Sequence, residues 1–211
     1  MLSELRREYA RSGLDESELA PDPVTMFSTW MAEARAAGLH EPNAMVLSTV
    51  STGGVPASRT VLLKGLDESG FAFYTNYSSR KGADLAARPV CSLLFPWHGL
   101  ERQVRVEGTA ARLSAAENDA YFASRPRASQ IGAWASPQSE VVPDRAALDE
   151  CYAKMSERFG EGEIPRPEQW GGYRVAPGSL EFWQGRIGRM HDRLRYRRTS
   201  SDAWAVERLA P

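Results

Sequence analysis

Apolar residues set the first element. Val24, Phe27, Trp30, Met31 and Ala34 recur at helical spacing behind Asp22, an N-cap residue type, and Pro23, which suits a first helical position; Gly38 closes the helix. The pattern then changes. AMVLSTV (44–50) reads as a buried strand, Gly53-Gly54 as a turn, and PASRTVLLKG (56–65) as the returning strand. GFAFYTN (70–76) alternates and predicts a third strand. Residues 79–88 predict a short helix ending before Pro89. VCSLLFPW (90–97) and RQVRVEGTAARL (102–113) predict a fourth and a long fifth strand.

The order then turns helical. Ser114 to Glu117 is a capping-box pattern for a helix through Phe122. A short helix is expected around 127–134, and another from Asp144 to about Phe159. Strand candidates follow at 171–176, 179–184, 193–198 and 203–209. Sequential strands with hairpin-length turns disfavour alternating β-α-β and a parallel sheet. They favour a mainly β fold with added helices, an antiparallel barrel or meander. Residues 1–21 read as a mobile arm, and 22–211 as a single domain.

Composition narrows the class. The chain has 211 residues, 42% hydrophobic and 25% charged, in the range of a soluble globular protein. A net charge of −1 gives no global field towards nucleic acid or an acidic membrane. The N-terminus has no apolar core of a signal peptide and no run long enough for a membrane helix, so a cytoplasmic protein is expected. Two isolated cysteines and three scattered histidines show no metal-ligand spacing. Of 26 basic residues only Lys64, Lys81 and Lys154 are lysines. A coding bias towards Arg accounts for that, and under it a retained Lys weakly marks a need for a compact ammonium.

No G-x-G-x-x-G, Walker lysine or G-x-S-x-G motif occurs, so an anionic ligand needs side-chain donors. Four clusters supply them. They are Arg59 with Lys64; Ser79, Arg80 and Lys81 at a helix start; Arg125 near Tyr121 and Ser129; and RIGRMHDRLRYRR (186–198). A solvated surface accounts for any single Arg equally well. If 189–197 is extended, Arg189, His191, Arg193, Arg195 and Arg197 share one face, fit for a small anion or for a polymer. GAWASPQS (132–139), with Gln138 and Ser139, and EFWQGR (181–186), with Trp183, suit the edge and face of a planar ligand. Arg59 and Lys64 differ by five, so a straight strand points them to opposite faces; the strand ends or bulges before Lys64, or the two bind different things.

Taken together, RREY, EPNAMVLSTV, SRTVLLKG, GFAFYTNYSSRKG, RQVRVEG, YFASRPRASQIGAWASPQS, WGGYRV, EFWQGR, RMHDR and RLAP resemble the pyridoxine/pyridoxamine 5′-phosphate oxidase family, from about Arg6 to Pro211. The resemblance implies a homodimer of split β-barrels with FMN in clefts at the dimer interface. It implies FMN contacts from Arg59, Thr60, Val61, Leu62, Leu63, Lys64, Tyr74, Thr75, Arg80, Lys81, Gln103, Gln138, Ser139, Trp183 and Arg193. It implies substrate contacts from Lys64, Tyr121, Arg125 and Ser129 at the phosphate, and from Arg189, Met190 and His191 at the pyridine ring, with Arg189 and His191 nearest the chemistry. Arg6, Arg7, Glu8 and Tyr9 match a lid segment. The implied reaction oxidises pyridoxamine or pyridoxine 5′-phosphate to pyridoxal 5′-phosphate, with O₂ as acceptor and hydrogen peroxide, plus ammonia from the amine, as products. Alternatives are a flavin oxidase of another aromatic substrate, such as a phenazine precursor, a non-catalytic flavin or pyridoxal phosphate binder, and a nucleic-acid binder using 186–198.

Overall fold

The computed structural model describes Tyr9, residues 13–201 and residues 203–211. Among them are five α-helices and nine strands. The helices are α1 (Pro23–Ala36), α2 (Arg80–Ala87), α3 (Ala115–Ala123), α4 (Arg127–Ala135) and α5 (Arg145–Phe159). The strands are β1 (Ala44–Val50), β2 (Pro56–Leu62), β3 (Gly65–Asp67), β4 (Gly70–Asn76), β5 (Val90–Trp97), β6 (Arg102–Arg112), β7 (Trp170–Gln184), β8 (Asp192–Arg198) and β9 (Trp204–Arg208).

All pairings are antiparallel, in the order β2-β1-β5-β6-β7-β4-β3, with β8 on β7 and β9 on β8. The end strands β2 and β3 are consecutive in the chain, which forces the sheet to curl. The switch occupies two residues. The Leu63 N–H donates to Asn43 O on the β1 side, and the Lys64 N–H donates to Ala72 O on β4. The result is the expected mainly antiparallel split barrel with added helices.

Two sequence expectations need correction. The strand expected over 56–65 stops at Leu62 and resumes as β3, which answers the parity conflict between Arg59 and Lys64. The two strands expected at 171–176 and 179–184 are one strand, β7. Its register on β6 shifts where Glu107 faces Ser179 and Gly108 faces Pro177, leaving Gly178 as the extra residue of a bulge. The bulge re-aims β7, whose first half pairs with β4 and second half with β8.

The core follows from alternation. Met45, Leu47 and Thr49 of β1, and Cys91, Leu93, Phe95 and Trp97 of β5, point inward. Helix α1 lies against this interior. Asp22 caps it by accepting from the Val24 and Thr25 N–H groups. Phe27 is fully buried, edge-on to Phe71 at 5.0 Å and Phe95 at 4.8 Å, and Trp30 meets Phe182 at 5.2 Å. Burying Phe27 alone contributes about 1.5–3 kcal/mol.

Part of the expected arm is fixed. Leu14 is buried, its N–H donates to Asp192 Oδ2 at 3.0 Å, and Glu16 pairs with Arg208 at 2.7 Å. The lid residues Arg6, Arg7 and Glu8 lie outside the described residues.

Candidate active site

A cavity of about 820 Å³ opens between β2, β4, the start of α2, helices α3 and α4 and the segment after α4. Five cations line it: Arg59, Lys64, Arg80, Lys81 and Arg125; no carboxylate is among the lining residues. Thr60, Val61, Leu62, Tyr74, Thr75, Tyr121, Ser129, Gln138 and Ser139 complete most of the wall. Fourteen residues singled out from the sequence therefore meet in one place.

The α2 end of the cavity is built locally. Ser79 caps α2, accepting from the Gly82 N–H while its hydroxyl donates to Asn76 O at 2.6 Å. Gly82 is required there, because a Cβ would lie 2.1 Å from Tyr77 O. This close approach presses the helix N-terminus against β4, where its unpaired N–H groups suit an anion. Lys81 is buried, and its Nζ donates only to neutral oxygens: Thr75 Oγ1 at 3.0 Å, Ser79 Oγ at 3.1 Å and Gln138 Oε1 at 2.9 Å. Burial, with help from the charge of Arg59, pushes its pKa down to about 8.

Arg59 is braced from behind. Its Nη1 donates to Leu47 O at 3.2 Å and Thr49 Oγ1 at 2.7 Å, and its Nη2 lies 3.8 Å from the buried Asp84, which also accepts from Thr49 Oγ1 at 2.7 Å. Burial lowers its pKa, against the pull of Asp84. Sequence reasoning passed over Asp84, because a carboxylate inside a short helix looks solvated until the fold buries it.

Lys64, Tyr121, Arg125 and Ser129 line the same cavity. Arg125 Nη1 is buried with no hydrogen-bond partner among the described residues. Burial lowers the Arg125 pKa, against a smaller opposing pull from Tyr121. A buried orphan donor on an arginine costs free energy unless an anion meets it. Among the described residues Lys81 and Arg125 are therefore two cations of one cavity with no carboxylate partner. Gly132, Ala133 and Ser136 of the GAWASPQS span also line the cavity, and so do Trp170 and Asn76, which were not singled out as contacts. Trp170 offers no distinct sequence signal, since a tryptophan opening an apolar strand reads as core.

The remaining expected residues lie elsewhere. Leu63 is buried and faces a second cavity with Met31 and Leu39. Gln103, Trp183 and Arg193 stand side by side across β6, β7 and β8. The rings of Trp183 and His191 are 4.7 Å apart, and Tyr9 stands edge-on to both, at 5.7 and 5.5 Å. His191 Nδ1 accepts from the Arg186 N–H at 3.1 Å, which leaves Nε2 to carry the proton of a neutral ring. The extended run expected from 189 begins only at Asp192. Residues 187–189 form a 3-10 turn, with φ of 65° at Gly188 and 62° at Arg189, so Arg189 and His191 leave the strand face. That face is not a free basic stripe. Arg193 is held by Glu181 at 2.8 Å and by Ala210 O at 2.8 Å, while Arg195 and Arg197 share Glu207.

Comparison with known proteins agrees with this geometry. Residues 31–155 match the family model described as "Pyridoxamine 5′-phosphate oxidase". The chain belongs to the pyridoxamine 5′-phosphate oxidase family. Residues 170–211 match the region described as "Pyridoxine 5′-phosphate oxidase C-terminal dimerisation region", which supports a homodimer. A Nocardioides sp. protein named pyridoxine/pyridoxamine 5′-phosphate oxidase is 62% identical over 100% of this chain and 98% of its own length. One of the same name from Salinibacter ruber is 56% identical over 100% of this chain and 99% of its own. Among solved structures, PhzG from Burkholderia lata 383, in complex with tetrahydrophenazine-1-carboxylic acid, superposes with a TM-score of 0.89 at 31% identity, covering 97% of this chain and all of that one. An FMN-binding protein from Nostoc punctiforme shares the fold, with a TM-score of 0.70 at 18% identity over 92% of this chain and all of that one. Among the described residues no helix is long and apolar enough to cross a membrane.

Proposed function

We propose that this family member is an FMN-dependent oxidase that converts pyridoxamine and pyridoxine 5′-phosphate to pyridoxal 5′-phosphate. The observation that carries the reading is a cavity with no lining carboxylate and two cations, Lys81 and Arg125, that have no carboxylate partner among the described residues. Lys81 suits the flavin phosphate and Arg125 the phosphate of the vitamer. The donor set fits FMN: Arg59, Arg80, Lys81 and the α2 N-terminus face its phosphate, while Thr75, Gln138 and Ser139 offer hydrogen bonds to polar edges.

Lys64, Tyr121, Arg125 and Ser129 hold the substrate phosphate in this reading and fix the ring, so that transfer is effectively intramolecular. Lys64, at the switch between β2 and β3, stands between the two ligands. FMN, when bound, would supply the two-electron redox chemistry by which C4′ loses a hydride equivalent and O₂ is reduced to hydrogen peroxide. In a homodimer, the Trp183–His191–Arg189 patch of a second copy closes the cavity and presents Met190 beside it; Gln103 and Arg193 flank the flavin, and Tyr9 acts as a lid over the ring. Arg189 and His191 then meet the pyridine ring, His191 through Nε2–H.

The test is direct. The purified protein should retain about one FMN per chain, a stoichiometry set by one cation-lined cavity per chain, and should release hydrogen peroxide on adding pyridoxamine 5′-phosphate in air. The likeness to PhzG names the competing substrate class. Turnover of a reduced phenazine carboxylate, with none of the phosphorylated vitamers, would replace this reading with that one.

A further inference from the structure

Trp170, which has no part in the contacts above, completes a three-ring stack in the cavity. Tyr74 and Tyr121 stack at 3.8 Å and 12°, and Trp170 lies in a nearly parallel plane, 8° from Tyr74 and 3° from Tyr121. Phe122 meets the indole edge at 5.1 Å. The Arg125 guanidinium carbon lies 4.5 Å above the Trp170 ring centroid.

Both partners of that contact are fixed independently. Trp170 opens β7 opposite Asn76 of β4, and only 7% of it is exposed. Its N–H donates to Pro167 O at 3.0 Å, and its carbonyl accepts from Arg166 Nη1 at 2.8 Å, with Arg166 tied to Asp119. The turn carrying Arg125 is held by Gln130, whose Nε2 donates to the carbonyls of Phe122, Ala123 and Arg125.

The chemistry of the platform matters. Among the described residues Arg125 has no carboxylate partner. A carboxylate would orient the guanidinium but neutralise it. An indole face also orients it, through the ring quadrupole, with an attraction of roughly 0.5–2 kcal/mol that leaves the N–H donors unspent. The orphan Nη1 is the consequence. We propose that Trp170 is a positioning residue for substrate, an uncharged platform that holds Arg125 over its indole so that Nη1 meets a phosphate monoester. The inference rests on the substrate reading above and specifies how the vitamer phosphate is selected.

The test is a double-mutant cycle on the FMN-loaded protein with Trp170→Leu, Trp170→Phe and Arg125→Ala. Two readouts are taken: the Kd for pyridoxal 5′-phosphate and for pyridoxal by calorimetry, and the split of KM against kcat with pyridoxamine 5′-phosphate. Trp170→Leu should weaken pyridoxal 5′-phosphate binding about tenfold and raise KM alike, with kcat within about twofold, from loss of the cation–π contact. Pyridoxal binding should not change. Trp170→Phe keeps a ring face and should lose no more than about threefold. In the Arg125→Ala background either Trp170 change should add less than about twofold. A Kd unmoved by Trp170→Leu, an equal loss for pyridoxal, or a full loss persisting without Arg125 overturns the proposal. Should the Leu variant not fold, the Phe variant runs the same cycle at smaller amplitude. Wild-type protein that binds neither ligand nor turns over the vitamer would instead overturn the substrate reading.

Discussion

Two regions of this protein are rich in arginine, and they do opposite things with it. Along β8, Arg193, Arg195 and Arg197 each find a glutamate, Glu181 or Glu207, on the strand beside them. In the cavity, Lys81 is buried against neutral oxygens and Arg125 is half-buried over an indole; among the described residues only Arg59 of the cavity cations approaches a carboxylate, at 3.8 Å. The first arrangement spends its charge on the fold. The second stores charge, at the cost of desolvation that burial imposes on Lys81 and Arg125. What separates a structural cluster from a ligand site is where the counter-charge stands, not how many cations are present.

The comparison can be broken most sharply at Glu181. It is buried and receives both Arg105 and Arg193. Glu181→Ala should destabilise the fold by about 1–3 kcal/mol in chemical denaturation, because it removes a buried carboxylate from two arginines that are partly exposed, one of which keeps Glu107. Phosphate binding at Arg125 should change little in whatever fraction stays folded, while FMN, flanked by Arg193 in the proposed dimer, should be retained less well. Arg125→Ala should do the reverse. It should lower kcat/KM for pyridoxamine 5′-phosphate on the order of a hundredfold, as expected for losing charged hydrogen bonds, with the unfolding midpoint unchanged or raised.

Lys81 gives an intermediate test through pH. Its folded pKa, about 8, lies below the ordinary lysine value of 10.5. Between those values the unfolded chain binds more protons, so the ligand-free fold gains stability as pH rises across that window. A phosphate favours the charged lysine, so anion affinity should be full below pH 8 and fall above it, by up to about tenfold per unit. FMN retention measured from pH 6 to pH 10 should show this fall (roughly the span either side of that titration), and Lys81→Met should flatten it. The smallest effect belongs to Glu207, which is partly exposed. Glu207→Gln should leave both the melting midpoint and FMN retention within experimental scatter.

Much of this was legible in the sequence where the signal is local. The Ser79 cap with Lys81 behind it, and the five-residue spacing of Arg59 and Lys64, are properties of short segments, and the fold realised both. Non-local facts were not. Arg193 and Glu181 are twelve residues apart, and their meeting depends on the register of β8 on β7. Pro177-Gly178 reads as a turn between two strands, and only the long partner β6 makes it a bulge. Leu63 sits in a run of expected flavin contacts, yet the two-residue switch between sheets turns it into the core. Trp170 looks like any buried aromatic until Arg125 is seen above it. Trp183, His191 and Arg189 group away from the cavity, and in the proposed reading a second copy brings them to it, a relation between chains that one sequence does not display.

The central claim is that the cation-lined cavity binds FMN beside a phosphorylated vitamer and lets electrons pass between them. The most direct measurement is anaerobic titration of the purified yellow protein with pyridoxamine 5′-phosphate. The account predicts stoichiometric bleaching of the flavin absorbance, its return on admitting air, and no bleaching by unphosphorylated pyridoxamine at the same concentration. A flavin that stays oxidised under the phosphorylated vitamer, or a protein that takes up no FMN, would contradict it.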